Sequence, residues 1–266
     1  MSAVATGPIN YERRGDGPPL VLVHGIGSRW EMWLPVIDML ADAHDVVAVD
    51  VPGFGRSPRP ADGTPVGVPS MCDLLEQFWT SLGIERPHVA GNSMGGQIAL
   101  ELARRGTVAS ACALSPAGFA TGADARLAKL ELGISVRSVK LLAPRAETLT
   151  RTAAGRALTL SGVVAHPARV PADEAALAVR GLAEATWFAP TLEWLSTHPF
   201  DGVAHPDVPV TIAWGTKDRL LLPRQAARAL MLFPDAHFVP LEDCGHVPTY
   251  DDPALVARVM LEAAAA

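Results

Sequence analysis

A serine, an aspartate and a histidine stand in this chain where acyl-transfer chemistry would need them. Ser93 lies in Gly91-Asn92-Ser93-Met94-Gly95, a G-x-S-x-G pattern. An apolar run, His88-Val89-Ala90, precedes it, and the helix-like segment 97–104 follows. Strand, tight turn and helix together push a serine hydroxyl out above a sheet. The flanking glycines are required because strand and helix pass too close there to admit a Cβ.

A serine hydroxyl is a weak nucleophile until a base takes its proton, and that base needs an acid to orient it. Residues 208–214 read as a buried strand running into Gly215-Thr216-Lys217-Asp218. His237-Phe238-Val239-Pro240-Leu241 reads as another, running into Glu242-Asp243-Cys244-Gly245-His246-Val247-Pro248. Ser93, Asp218 and His246 therefore follow one another in chain order, each just beyond a strand. Among serine-hydrolase arrangements only one places the serine first.

On these residues the chain resembles the α/β-hydrolase superfamily, in its lidded, serine esterase-like branch. Leu20-Val21-Leu22-Val23-His24-Gly25-Ile26-Gly27 looks like that family's strand and oxyanion loop. Asp50-Val51-Pro52-Gly53-Phe54-Gly55-Arg56-Ser57 looks like the loop after the next strand. Ser93 with its glycines resembles the nucleophile elbow, and the loops at Asp218 and His246 resemble those of the acid and the base. The resemblance runs from about Asn10 to about Leu261. It implies an α/β fold with a mostly parallel central sheet, helices on both faces and a helical lid inserted after the sixth strand.

The elements that must position these residues are legible as alternating strands and helices. Strand-like runs occupy 20–23, 46–51, 88–90, 109–114, 208–214 and 238–241, with a further edge strand at 9–13. Their continuous Val, Leu and Ala character indicates strands covered on both faces. Helices are predicted over 30–43, 69–82, 94–105, 223–233 and 253–264, with Pro69, Pro223 and Pro253 in first turns. The alternation breaks between 118 and 206, a strand-free helical stretch with stops at Pro144, Gly155, Pro167, Pro171, Pro190 and Pro199. The expected organisation is a hydrolase core from 1–117 and 207–266 and a lid over 118–206. Ligands in such sheets bind beyond the C-terminal strand ends, so a lid there roofs the pocket.

Composition limits the alternatives. The chain has 266 residues, 49% of them hydrophobic, enough for one large core with an insertion. A formal charge of −6 with no basic block gives no reason to expect a nucleic-acid partner. The three cysteines, Cys72, Cys112 and Cys244, show neither a disulfide framework nor metal-ligand spacing. Cys244, close to His246, is read as a packing residue of that loop. The first eight residues have no basic region and no apolar region of a secretion signal, and no run approaches the ~18–20 apolar residues of a membrane span. The expectation is a cytoplasmic enzyme without cofactor or metal, acting on a small apolar molecule; self-association stays open.

The chemistry expected is attack by Ser93 Oγ on an acyl carbonyl, with His246 as base and Asp218 fixing its tautomer. Met94 follows the nucleophile and opens a helix, so its N–H is free to stabilise the oxyanion. The family pattern implies Ile26 as the second donor, with Gly27 as its substitute. The pocket candidates are Gly27, Trp30, Trp187, Phe188 and Val247. His24 is expected to support the oxyanion loop, Asp50 to hold its own loop, and Asp251 and Asp252 to cap the last helix. The leading expectation is hydrolysis of a small or medium apolar carboxylic ester. The same triad also serves carbon–carbon bond hydrolysis of ring-fission products and cofactor-free perhydrolysis. Enzymes of the carbon–carbon type often carry tryptophan after the base histidine, where this chain has Val247. A serine nucleophile argues against dehalogenase and epoxide-hydrolase chemistry, which needs a carboxylate. A small-molecule receptor on the same fold is the remaining alternative.

Overall fold

The structure is a computed structural model that describes residues 8–266. The reading of the N-terminus as lacking a secretion signal falls largely on residues 1–7, outside the described range. The centre is a seven-stranded sheet. Its strands are β1 (Tyr11–Arg14), β2 (Pro19–Val23), β3 (Asp45–Val49), β4 (His88–Asn92), β5 (Ser110–Leu114), β6 (Val210–Gly215) and β7 (His237–Leu241). They lie in the order β1-β3-β2-β4-β5-β6-β7. Only β1 runs antiparallel, against β3. All other pairs are parallel.

The alternating pleat explains why the strands are apolar throughout. Val21, Val23, Val47, Val49, Val89, Ala111 and Ile212 enter one core. Their neighbours Leu20, Leu22, Val46, Ala48, Ala90, Cys112 and Ala213 enter the other. Each face is closed by helices. The helices α2 (Val68–Ser81) and α3 (Met94–Arg105) bury Met71, Leu75, Trp79 and Ile98 on the first. On the second, α1 (Leu34–Ala41) and α10 (Pro253–Ala265) bury Val36, Ile37, Leu40, Val256 and Met260. Burying one such side chain contributes about 1.5–3 kcal/mol, so both faces must be covered.

Between β5 and β6 the chain is helical: α4 (Ala123–Leu142), α5 (Ala146–Thr150), α6 (Ala153–Leu160), α7 (Ala172–Glu184) and α8 (Phe188–Thr197). After β6 comes α9 (Ala226–Leu232). The insertion thus follows the fifth strand and not the sixth, because a single strand, β1, precedes β2 among the described residues. Pro190 does not stop a helix; it sits in the first turn of α8, where a missing N–H costs no intrahelical bond. The helix expected over 30–43 divides into a 3₁₀ turn, Trp30–Trp33, and α1.

Candidate active site

Ser93 sits between the end of β4 and the start of α3 with φ +58° and ψ −114°. That backbone conformation is sparsely populated for a residue with a side chain and costs about 1–3 kcal/mol. Surrounding contacts over-determine it. Ser93 N–H donates to Leu114 O at 3.0 Å, and Ser93 O accepts from Gln97 N–H at 3.0 Å and Ala117 N–H at 2.9 Å. A Cβ on Gly91 would overlap the carbonyl of Gly95, and one on Gly95 would overlap that of Val23. Both glycines are there because the elbow has no room.

Asp218 and His246 lie beyond β6 and β7 and are buried, at 2% and 3% exposure. His246 Nδ1 and Asp218 Oδ2 are 2.8 Å apart. The other carboxylate oxygen accepts the N–H groups of Leu220 at 2.9 Å and Leu221 at 2.8 Å. An acceptor at Nδ1 fixes the proton on that nitrogen and leaves the Nε2 lone pair available. Nε2 has no hydrogen-bond partner among the described residues, and His246 lines the same cavity as Ser93. The Asp218 and His246 loops are pressed together. Lys217 N–H donates to Cys244 O at 2.8 Å, and a Cβ on Gly215 would overlap the carbonyl of Gly245.

The loop after β2 approaches Ser93 from the other side, with Gly25 close enough that a Cβ there would stand 3.2 Å from Ser93 Cβ. The N–H groups of Ile26 and Gly27 have no partner among the described residues, and Met94, first residue of α3, has no intrahelical acceptor. His24 braces this loop. Its Nδ1 donates to Gly25 O at 2.7 Å and its Nε2 accepts Val51 N–H at 2.9 Å. Burial lowers its pKa, opposed by the Asp50 charge. Asp50 in turn accepts from Trp30 N–H, Asn10 Nδ2 and Arg56 N–H at 2.7–2.8 Å.

Residues 20–259 match the profile of the alpha/beta hydrolase family. The chain belongs to that family. This alpha/beta hydrolase is 31% identical over 242 residues to the dihydrolipoyllysine-residue acetyltransferase component of the acetoin cleaving system of Cupriavidus necator. That match covers 90% of this chain but 62% of the relative, so the chain spans less than two thirds of that protein's length. It is 40% identical over 102 residues to a 2-hydroxymuconate semialdehyde hydrolase of Pseudomonas sp. (strain CF600), covering 36% of this chain and 35% of that one. Among solved structures it resembles a membrane phospholipase A, a bacterial virulence factor, with TM-score 0.75 and 26% identity over 98% of this chain and 86% of the other.

Two cavities meet at Ser93 in this hydrolase. The larger, about 570 Å³, is lined by His246, Val247, Gly27 and residues of α4, α6 and α7. The smaller, about 290 Å³, lies between the start of α4, α8 and the segment 117–122. Of the expected pocket residues, Gly27 and Val247 line the larger cavity, and Trp30, Trp187 and Phe188 line neither. Trp30 packs on the core beneath the sheet, its N–H tied to Asp50. Trp187 covers Gly53, and Phe188 is buried beside Gly27, where a Cβ would meet its ring at 3.0 Å. Cys244 is buried in the core, and burial pushes its thiol up to about 12.

Residues not anticipated in the sequence also hold the site. Asn92 Nδ2 donates to His246 O at 2.8 Å and to Leu114 O at 3.1 Å. Asp251 does not cap α10; Asp252 does, accepting Leu255 N–H at 2.9 Å. Asp251 instead accepts the N–H groups of Gly245 at 2.8 Å, His166 at 2.8 Å and Ala165 at 3.0 Å. It thereby joins the His246 loop to the helical insertion, reinforced by Val247 N–H to Val163 O at 2.8 Å. Its position five residues past the histidine is the one signal in the sequence that sets it apart. Among the described residues no group of three or more His, Cys, Asp or Glu is placed to hold a metal, and no helix is long and apolar enough to cross a membrane.

Proposed function

We propose that this alpha/beta hydrolase cleaves a small or medium apolar carboxylic ester through an acyl-enzyme on Ser93. The observation carrying the reading is the buried His246–Asp218 pair, 2.8 Å apart, opening onto the cavity that holds the strained Ser93. The Ser93 Oγ–carbon bond forms as the serine proton passes to His246 Nε2. Asp218 stabilises the imidazolium, and the oxyanion sits on the N–H groups of Ile26 and Met94, each such donor contributing about 3 kcal/mol in the transition state. The bond from the acyl carbon to the alcohol oxygen then breaks, and the alcohol leaves with the proton from His246. Water attacks the acyl-enzyme by the same route. The balance is ester plus water to acid plus alcohol.

The insertion over 118–206 acts in this reading as a lid, roofing a site assembled by the core from 1–117 and 207–266. The walls of both cavities are more apolar than polar, which favours a largely apolar substrate. Turnover of p-nitrophenyl esters across an acyl-length series tests the reading. Wild type is expected to turn over with a length optimum, and Ser93→Ala to lose nearly all of that turnover, keeping only the residual catalysis of the oxyanion donors and binding. Equal turnover by the two proteins would remove it. The partial likeness to a 2-hydroxymuconate semialdehyde hydrolase keeps carbon–carbon hydrolysis as a second reading. Product from a dienoic ring-fission ketone, without ester turnover, would favour it.

A further inference from the structure

The two cavities at Ser93 are unequal, and only one of them contains the base. His246 and Val247 line the larger cavity and are absent from the walls of the smaller. Ser93 and Ile26 line both. A substrate seated on Ser93 must therefore divide between them.

Proton transfer decides how. The leaving oxygen must come within hydrogen-bond reach of His246 Nε2, because that nitrogen returns the proton. The alcohol portion consequently lies on the His246 side. The carbonyl oxygen is committed to the N–H groups of Ile26 and Met94. The remaining substituent of the acyl carbon has the smaller cavity left to it. Deacylation imposes the same division: water must reach His246 while the acyl group stays bound, so the side to be vacated is the side with the histidine.

We infer that the substrate is an ester of a short acyl group with a bulky alcohol. The inference rests on Ser93 being the nucleophile. The smaller cavity has about half the volume of the larger, about 290 Å³ against about 570 Å³. Their walls differ as well. The smaller is closed mainly by Ala117, Ala125, Ala128, Leu192 and Leu195, with Thr121, Lys129 and Ser196 also on its wall, and suits a mostly hydrocarbon acyl group. The larger mixes Leu158, Leu177 and Val247 with Ser135, Thr159 and Arg219, and accepts an alcohol that carries polar groups.

Two constitutional isomers test the assignment because they place the naphthyl group on opposite sides of the ester. Naphthylethyl acetate places the bulk on the alcohol, and ethyl naphthylacetate places it on the acyl group. Wild type is expected to show kcat/KM about tenfold or more higher for naphthylethyl acetate, a discrimination of the size that pocket fit supplies. Ala125→Leu, which narrows the smaller cavity, moves the ratio further in that direction. Ala178→Leu, which narrows the larger, moves it back; thermal melts confirm that both variants fold. A Ser93-dependent preference for ethyl naphthylacetate overturns the assignment and leaves the esterase reading standing. Absence of turnover on both isomers and on short p-nitrophenyl esters overturns the esterase reading and this inference with it.

Discussion

Asn92 holds the backbone of His246 from the strand that carries the serine. Its amide donates to His246 O at 2.8 Å, across 154 residues of sequence. The residue preceding Ser93 thus ties the His246 backbone to the elbow. Asn92→Leu leaves two buried carbonyls, those of Leu114 and His246, without this donor. Expected is a loss of about 1–3 kcal/mol in urea denaturation, the cost of stranding a buried polar group. Ester kcat is expected to fall further than that loss of stability would explain.

Asp218→Asn keeps the acceptor for Leu220 and Leu221 but turns an amide N–H toward His246 Nδ1. The proton then moves to Nε2, the nitrogen that must accept from Ser93. Turnover is expected to drop by about 10⁴, the scale known for this change in a serine triad, with the melting temperature nearly retained. Steady-state kinetics beside a thermal melt separates this from unfolding.

Asp251→Ala removes one acceptor from three backbone donors, at Gly245, Ala165 and His166. The His246 loop and the insertion lose their shared anchor. Limited proteolysis should cut faster within 161–168, and esterase activity should decline in parallel. Cleavage at the wild-type rate with unchanged activity would contradict the anchoring role.

Two glycine substitutions should go in opposite directions. Gly91→Ala forces a Cβ into the Gly95 carbonyl and is expected to cost about 3 kcal/mol or more, or to prevent folding. Gly133 lies within α4 with no atom near its missing Cβ. Gly133→Ala is expected to stabilise by about 0.5–1 kcal/mol through helix propensity. Denaturation midpoints of the two variants give the comparison.

Acid should weaken the fold partly through His24. Burial holds its folded pKa below the ordinary 6.5. Between those two values the unfolded chain binds the extra proton, so stability rises with pH there. The contribution is complete above about pH 6.5 and is lost as pH falls from there through the lower folded value. His24→Asn should flatten the dependence of the urea midpoint on pH between about 7.5 and 5. A wild-type slope identical to the variant's would assign the loss to other groups.

The sheet and the residues on it were legible because strands buried on two faces leave an unbroken apolar run, as 20–23 and 109–114 do. Ser93, Asp218 and His246 were legible because each follows such a run directly. The roles of Asn92 and Asp251 were not, since their partners lie 154 and 85 residues away. Which aromatic side chains reach the cavity was also hidden. Trp30 and Phe188 turn toward cores, and side-chain direction depends on packing that no local pattern carries. The place of the insertion was off by one strand because the sixth-strand count came with the family resemblance, whereas the strand-like runs before residue 118 number five, as in the structure.

The distance along the chain between Asn92 and His246 also sets a clock. At translation rates of about 5–20 residues per second, 154 residues take roughly 8–30 s. The elbow at Ser93, with its glycines and the strands β2, β3 and β4, leaves the ribosome well before the loops of Asp218 and His246. Throughout that interval the nascent chain carries Ser93 without His246. Under the proposed mechanism, reactivity is withheld until the last strands pair.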